Sequence, residues 1–310
     1  MRVVVTGGAG FIGANLCARL AALDVVDSVA VLDDLSTGRA EHLDGVEVEL
    51  VSGSILDAEL VEGLVRDADA VVHLAARGSV PRSLLDPVAT HEVNATGTVT
   101  VLDAARRGGS PHVIVASSSS VYGANPTLPK REDLATLPVS PYAASKLATE
   151  SYTLAYGASF SIPVLAFRFF NVFGPLQPGD HDYAAVIPRF ITAALTGRTL
   201  EVHGDGEQSR DFTYVGDVCT ILVDALVRRV TSSEPVNLAF GTRTNLLHVI
   251  DLLRGLVDAP LHVDHVDPRP GDVRHSQADC TRLLNLFPDS TPIPFPDGLS
   301  ATVEWLKGVA

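Results

Sequence analysis

Cysteine is scarce in this 310-residue chain. Cys17, Cys219 and Cys280 are odd in number, widely spaced and free of any CxxC pair. That excludes a disulfide framework and reads as reduced core thiols of a cytoplasmic protein. Basic residues are also few, 23 Lys and Arg against 37 Asp and Glu, for a formal charge of −14. So acidic a chain argues against nucleic acid or an anionic membrane as a partner, and any phosphate-bearing ligand must be gripped by local groups. No apolar run approaches the roughly 20 residues of a membrane span. The N-terminus enters its first strand directly, which is expected to leave no room for a signal peptide. Internal repeats, long low-complexity segments and charged tails are missing as well. Hydrophobic residues make up 46% of the chain, enough for a sizeable core, so neither a disulfide nor a metal staple is required and no metal is expected.

What is present is organised around Val3-Val4-Val5-Thr6-Gly7-Gly8-Ala9-Gly10-Phe11-Ile12-Gly13. Three apolar β-branched residues predict a strand buried on both faces. Glycines follow at once, and a helical apolar pattern then runs through Ile12, Leu16, Leu20 and Leu23. A strand, a glycine turn and a helix N-terminus form an anion site, where free N–H groups meet a pyrophosphate that no Cβ obstructs. Gly8-x-Gly10-x-x-Gly13 fits the dinucleotide fingerprint, and Gly7-x-x-Gly10-x-x-Gly13 fits its shorter variant. Asp33 stands 20 residues beyond Gly13, after the strand Val29–Leu32, where a carboxylate accepts both ribose hydroxyls of NAD and repels the extra phosphate of NADP. The plainer alternative is a glycine turn between tightly packed elements.

Strand and helix patterns alternate to about residue 170. Strands are expected at Val3–Thr6, Val29–Leu32, Val46–Val51, Ala70–Leu74, His112–Ala116 and Val164–Phe169. Helices are expected near Phe11–Leu23, Ala58–Arg66, Pro87–Arg107 and Pro141–Tyr156. This predicts an α/β fold, a doubly wound parallel sheet of the Rossmann type. Past Phe170 the rhythm changes to a loop at Gly174–Asp180, a helix at Ala184–Thr196 and a strand at Leu200–His203. Strands at Asp211–Tyr214 and Val236–Phe240 then flank a helix at Val215–Arg228, and short proline-rich elements follow. The expected division is a dinucleotide domain of residues 1–170 plus about 212–236, and a smaller α/β substrate domain of about 171–211 plus 237–310. The groove between them lies at the C-terminal edge of the sheet.

Tyr142-Ala143-Ala144-Ser145-Lys146 puts a phenol and an ammonium on one helical face. A nearby cation favours the phenolate, as does the positive ring of an oxidised nicotinamide, and this makes a tyrosine a general base near neutrality. Ser117-Ser118-Ser119-Ser120 follows an apolar strand, so these hydroxyls emerge at the C-terminal end of the sheet, within reach of the same substrate hydroxyl. Taken alone, YxxxK is often just an exposed helical pair. The preceding fingerprint and the serine-bearing strand end favour catalysis.

At this point the chain resembles the extended short-chain dehydrogenase/reductases and, within them, the nucleotide-sugar 4-epimerases of the UDP-glucose/UDP-galactose type. The resemblance covers nearly all of the chain and rests on motifs specific in combination: Thr6–Gly13, Asp33–Gly38, His73–Ala76, Ser118–Gly123, Pro141–Lys146, Arg168–Pro175 and Gly204–Asp211. It implies that Gly7, Gly10, Phe11, Ile12 and Gly13 hold the NAD pyrophosphate, and Asp33 the adenosine ribose. Leu35, Ser36, Thr37 and Gly38 line that side of the cofactor. Ser54, where relatives often carry Asp, and Ile55 would sit by the adenine. Leu74, Ala75 and Ala76 line the cofactor, and Asn94 orders the site. Ser118, Tyr142 and Lys146 match the catalytic trio, with Ser119 beside the substrate. Asn171, Arg210 and Arg269 would hold the substrate diphosphate, the arginines as planar forks. Asp272 would contact the nucleotide ribose, and Val186 would line the sugar pocket. His203 falls where relatives place an aromatic against uracil, although an ordinary strand-end histidine fits as well.

The resemblance further implies a redox-neutral 4-epimerisation of a UDP-sugar on tightly held NAD, and a homodimer built from the helices near Pro87–Arg107 and Pro141–Tyr156. Related dehydratases carry an Asp-Glu pair where Ser119 and Ser120 stand, and serine cannot supply that acid and base. Leu176–Asp180 holds no arginine for a sugar carboxylate, so a neutral sugar is expected. Ser276, small at a position that walls the sugar C2 substituent, implies room for N-acetylhexosamines as well as hexoses. The competing readings are another NAD-dependent nucleotide-sugar oxidoreductase or dehydratase, an epimerase of a charged sugar such as UDP-glucuronate, and a non-enzymatic NAD-binding regulator.

Overall fold

The computed structural model describes residues 1–179, 184–267 and 274–309. In chain order the first half runs β1 (Arg2–Thr6), α1 (Phe11–Ala21), β2 (Ser28–Asp33), β3 (Glu49–Ser52), α2 (Ala58–Val65), β4 (Ala70–His73), α3 (Val80–Leu85), α4 (Pro87–His91), α5 (Gly97–Arg107), β5 (His112–Ser118), α6 (Pro141–Phe160) and β6 (Val164–Phe169). The remainder runs β7 (Val172–Phe173), α7 (Val186–Leu195), β8 (Leu200–His203), β9 (Ser209–Arg210), β10 (Thr213–Tyr214), α8 (Val215–Arg228), β11 (Val236–Leu238), β12 (Thr244–Asn245), α9 (Leu246–Leu256), β13 (Val263–Val266), α10 (Thr281–Leu286) and α11 (Phe295–Val309).

Seven strands form one parallel sheet in the order β11-β6-β5-β4-β1-β2-β3. This is the expected Rossmann-type sheet. The strand order reverses between β1 and β4, and ligands bind in the crevice beyond the strand ends at such a switch point. Side chains alternate across the pleat, so Val3 and Val5 join the core beneath α1 and α8 while Val4 joins the core beneath α2 and α5. A third core gathers Phe173, Ile191, Leu253 and Val303 from β7, α7, α9 and α11.

The structure differs from the sequence pattern in three places. The helix expected over Pro87–Arg107 is α4 and α5 joined by a π-helical turn, Glu92–Thr96, which sets Asn94 facing inward. The segment Val80–Leu85 is helical, its N-terminus capped by Ser79 and carrying a proline in the first turn. The strand expected at Val236–Phe240 stops at Leu238 and pairs with β6 as the edge of the main sheet. Cys17 and Cys219 are buried, and burial pushes both thiols up to about 12, so they behave as core residues. Among the described residues no helix is long and apolar enough to cross a membrane, and no cluster of side chains could hold a metal ion.

Candidate active site

The glycines after β1 play two separate parts. Gly7 has φ +73°, and an added Cβ would lie 2.6 Å from Ala75 N. At Gly13 a Cβ would lie 2.2 Å from Gly7 O, and at Gly8 2.6 Å from Val31. Those three are glycine because protein packs against them. At Gly10 a Cβ would meet only Gly7 O, at 3.2 Å, so the chain itself leaves that face open. Gly10 is also the N-cap of α1, with extended backbone and no side-chain capping bond, and no acidic residue follows in the first turn. The amides of Phe11, Ile12 and Gly13 thus belong to an uncovered positive helix end, beside a position left bare for a ligand. The residues fit a dinucleotide pyrophosphate.

Asp33 closes the same crevice at the end of β2. Its carboxylate accepts from Ala9 N at 3.0 Å and Leu35 N at 2.9 Å. Leu35 adopts φ 58°, and a Cβ at Gly38 would touch Asp33 Oδ1 at 2.8 Å, so the turn wraps tightly around the acid. Burial raises the Asp33 pKa while the two amides pull it back. A carboxylate offers about four acceptor sites, so capacity remains for ribose hydroxyls. Ser36 bonds Asp34 Oδ1 through N (2.9 Å) and Oγ (2.6 Å), and Ser36 and Thr37 line an open cavity with Arg77 and Arg82. Ser54 Oγ accepts from Leu56 N at 3.2 Å, and Ile55 is buried against the Gly97 turn. Leu74, Ala75 and Ala76 leave the end of β4, tied to Thr6 by Leu74 N→Thr6 O (3.0 Å) and Ala75 N→Thr6 Oγ1 (3.3 Å).

β5 and α6 carry the reactive groups. Ser118 is the last residue of β5, and Ser119 begins the tight turn beyond it. Ser140 caps α6 by accepting from Ala143 N at 3.1 Å, and Pro141 pre-sets its first turn, so Tyr142 is held in that first turn. Lys146 follows one turn on, buried, its Nζ donating to Ala116 O at 2.8 Å. Burial lowers the Lys146 pKa to about 8. Burial raises that of Tyr142, and hydrogen bonding with Ser118 opposes it. At the phenol it is Ser118 that opposes burial, while the Lys146 ammonium faces the β5 carbonyl of Ala116. The Ser120 hydroxyl is buried, with no partner among the described residues.

Asn94 fastens this constellation. Its Nδ2 donates to Ser145 Oγ (2.9 Å) and Arg77 O (3.2 Å), and its Oδ1 accepts from Arg77 N (2.7 Å). The loop after β4 is thereby bound to the turn between Tyr142 and Lys146. His73 joins Thr6 (2.7 Å) to Thr98 (3.0 Å), and burial, with the Lys146 charge, lowers its pKa to about 3. It is a neutral structural histidine at any ordinary pH. Sequence reasoning missed the support behind the site. Glu150, one turn after Lys146 on α6, receives Arg168 Nε at 2.8 Å and Nη2 at 2.7 Å, with both side chains buried. Ser117 Oγ donates to the same carboxylate at 3.0 Å. The spacing of Glu150 four residues beyond Lys146, with Arg168 on a buried strand, was the available signal.

The substrate-side residues are more scattered. Asn171, φ 31°, donates to Asp211 O at 3.2 Å. Arg210 Nη1 donates to Ser209 O (3.0 Å) and Arg274 O (3.3 Å). Ser276 N donates to Ser209 O at 3.0 Å, which puts Ser276 beside β9. Val186 opens α7, and His203 ends β8 with its ring bonded to Asp267 O at 3.0 Å. Arg269 and Asp272 lie outside the described residues, as do Asp180 and Tyr183.

A doubly wound parallel sheet, a bare glycine cradle and a Ser-Tyr-Lys trio at the strand ends define a dinucleotide-dependent enzyme of the short-chain dehydrogenase/reductase class. Residues 3–239 match the model of the NAD dependent epimerase/dehydratase family, and the chain belongs to that family. It is 38% identical over 316 residues to a UDP-glucose 4-epimerase of Mycolicibacterium smegmatis, covering 99% of each chain. It is 36% identical over 321 residues to a dTDP-glucose 4,6-dehydratase of Mycobacterium tuberculosis, covering 99% of this chain and 93% of that one. Among solved structures it resembles the UDP-N-acetylglucosamine 4-epimerase of Methanobrevibacter ruminantium, crystallised with UDP-N-acetylmuramic acid, with TM-score 0.93, 35% identity and 100% and 99% coverage.

Proposed function

We propose that the protein is a 4-epimerase of a neutral UDP-hexose, accepting UDP-glucose/UDP-galactose and the corresponding N-acetylhexosamines. The observation that carries this reading is the trio at the end of β5 and the start of α6, with serine at 119 and 120 where an eliminating enzyme needs an acid and a base. Bound NAD would supply a hydride acceptor that returns what it takes, through a transient 4-keto sugar, and a positive ring that favours the Tyr142 phenolate.

The chain's own groups do the rest. Tyr142 takes the 4-hydroxyl proton at its phenol oxygen and later returns it. Ser118 hydrogen-bonds the same hydroxyl and holds it against the phenol. Lys146 fixes the floor of the site through Ala116. Asn171, Arg210 and Arg269 would anchor the diphosphate, Asp272 the ribose and His203 the uracil, while the freed sugar turns its other face. Val186 and Ser276 would shape the sugar end, with Ser276 leaving space at C2. Loop residues Leu176–Gly179 carry no cation for a sugar carboxylate, which supports a neutral sugar. In this reading the dinucleotide domain comprises residues 1–170 with about 212–236, and the enzyme works in the cytoplasm as a homodimer. Exposed apolar side chains on α4 and α6, Val88, Tyr152 and Phe160 among them, support pairing of those helices.

The test is to incubate purified protein, without added NAD, with UDP-glucose and separately with UDP-N-acetylglucosamine, and to read the anomeric protons by NMR. New galacto-configured signals are expected from both. A stable 4-keto product, net consumption of NAD, or no change with NAD supplied would overturn the assignment.

A further inference from the structure

A cavity of about 500 Å³ opens beside β9 and β12, and every side chain that lines it is polar. Four of them, Arg243, Arg274, His248 and His275, are of basic type, a concentration out of keeping with a chain of charge −14. Arg274 is paired at the rim with Asp205, at 2.7 Å. Glu207, the lining acid, accepts from Asn245 at 2.9 Å. Arg243 donates Nε to the buried Ser209 hydroxyl at 2.9 Å, and among the described residues no carboxylate pairs with it. The His275 ring meets the same hydroxyl at 2.9 Å. Burial first, then the charges of Arg243, Arg274 and Arg210, lower the His275 pKa, and Asp205 opposes them.

Arg210, next to Ser209 on β9, does not line the cavity. Successive residues of a strand point to opposite faces. Ser209 and its bridging neighbour His275 line the cavity, whereas the next residues along, Arg210 and Ser276, do not.

We propose that this cavity is a second anion site, built for the phosphate monoester of a polyhydroxy compound. The planar fork of Arg243 suits phosphate oxygens, and Arg274 and His248 add donors around them. The N-terminus of α9, capped by Asn245 Oδ1 accepting from His248 N at 2.8 Å, adds a favourable dipole. Thr244, Asn245 and Glu207 offer both donors and acceptors to hydroxyl groups. No Phe, Tyr, Trp or aliphatic side chain lines the space, and its donors and acceptors suit phosphate and hydroxyl groups. The assignment stands on this side of the strand alone and does not depend on which sugar the enzyme turns over.

The experiment titrates the full chain with inorganic phosphate and with glucose 6-phosphate by calorimetry, comparing wild type, R243Q, R274Q, R243K and R210Q. Both probes are expected to bind wild type, glucose 6-phosphate the tighter. Losing a charge-assisted hydrogen bond in R243Q or R274Q should weaken binding about tenfold, with R243K largely restored and R210Q weakened less than either. Melting temperatures establish which variants fold, and the exposed Arg274 carries the test if R243Q does not. Absence of binding, loss in R210Q with R243Q and R274Q unchanged, or no preference for glucose 6-phosphate over phosphate would each overturn the proposal.

Discussion

The two ends of the proposed active site are built in different ways. The dinucleotide side is made of backbone: uncapped amides of α1, a glycine left open at Gly10 and one carboxylate wrapped by its own turn. Its parts sit on long parallel strands buried on both faces, where shifting one residue would disturb a whole core. The proposed substrate side consists of side chains, Asn171, Arg210, His203 and Ser276, on strands of two to four residues and the segments between them. Backbone sites tolerate almost no variation in sequence, whereas side-chain sites change ligand by single substitutions. Relatives of similar identity are named for epimerisation and for dehydration.

The sharpest way to break this contrast is at the seam. Tyr142→Phe removes the proton-transferring group and keeps the ring, so epimerisation should fall about a hundred- to ten-thousand-fold while bound NAD, read by its absorbance after denaturation, is retained. Loss of NAD together with activity would mean that Tyr142 serves the cradle and not the chemistry. Next in size is Glu150→Ala behind the seam. It strands the buried Arg168 guanidinium, and breaking such a pair costs about 3–5 kcal/mol. Urea unfolding should show that loss, while Glu150→Gln, which still accepts hydrogen bonds, should recover part of it.

The dinucleotide side was legible for the reason that makes it rigid. A glycine turn between a Val-Val-Val strand and an apolar helix has few alternative structures, and Ser118, Tyr142 and Lys146 fall on regular elements whose period can be counted. The π-turn at Glu92–Thr96 was not legible, because Asn94 faces inward through a register shift that no period reveals. The ion pair of Glu150 with Arg168 went unread because the two residues lie on different elements, and only the packing of α6 on β6 brings them together. β11 followed a long excursion, and its return to the main sheet is a matter of topology. The basic cavity beyond β9 joins residues 205, 243 and 274, which have no common spacing.

Gly13→Ala tests the cradle directly. Its Cβ would fall 2.2 Å from Gly7 O, and overpacking of this kind costs about 1–3 kcal/mol. The purified variant should melt lower and carry less NAD. A variant that melts lower yet keeps full NAD would show that Gly13 serves packing alone. On the proposed substrate side, Ser276→Tyr should leave stability and NAD content unchanged and shift the preference between N-acetylhexosamine and hexose substrates by at least the roughly 10–200-fold that a single methylene group makes in a fitted pocket. Equal loss with both substrates would place Ser276 away from C2.

The smallest effect belongs to the joint between the two sides. Asp211 is fully buried, accepting from Ala278 N at 3.0 Å and Thr242 Oγ1 at 2.9 Å, and its own carbonyl receives Asn171 at 3.2 Å. Burial raises its pKa to about 6, against which those hydrogen bonds pull down. An unfolded aspartate titrates near 3.9, so between about pH 4 and 6 the folded protein holds a proton that the unfolded chain has released. Stability therefore falls as pH rises through that window and is recovered as pH falls. Asp33 and Asp217 are also raised by burial and bend the curve the same way, so the wild-type slope alone cannot be assigned to one residue. Asp211→Asn isolates it. The difference in unfolding free energy between wild type and this variant should shift against wild type by on the order of 1–3 kcal/mol from about pH 4 to 7. A constant difference across that range would mean that Asp211 is ionised throughout, its charge met by the Ala278 amide and the Thr242 hydroxyl. The joint would then be braced by a fixed charge.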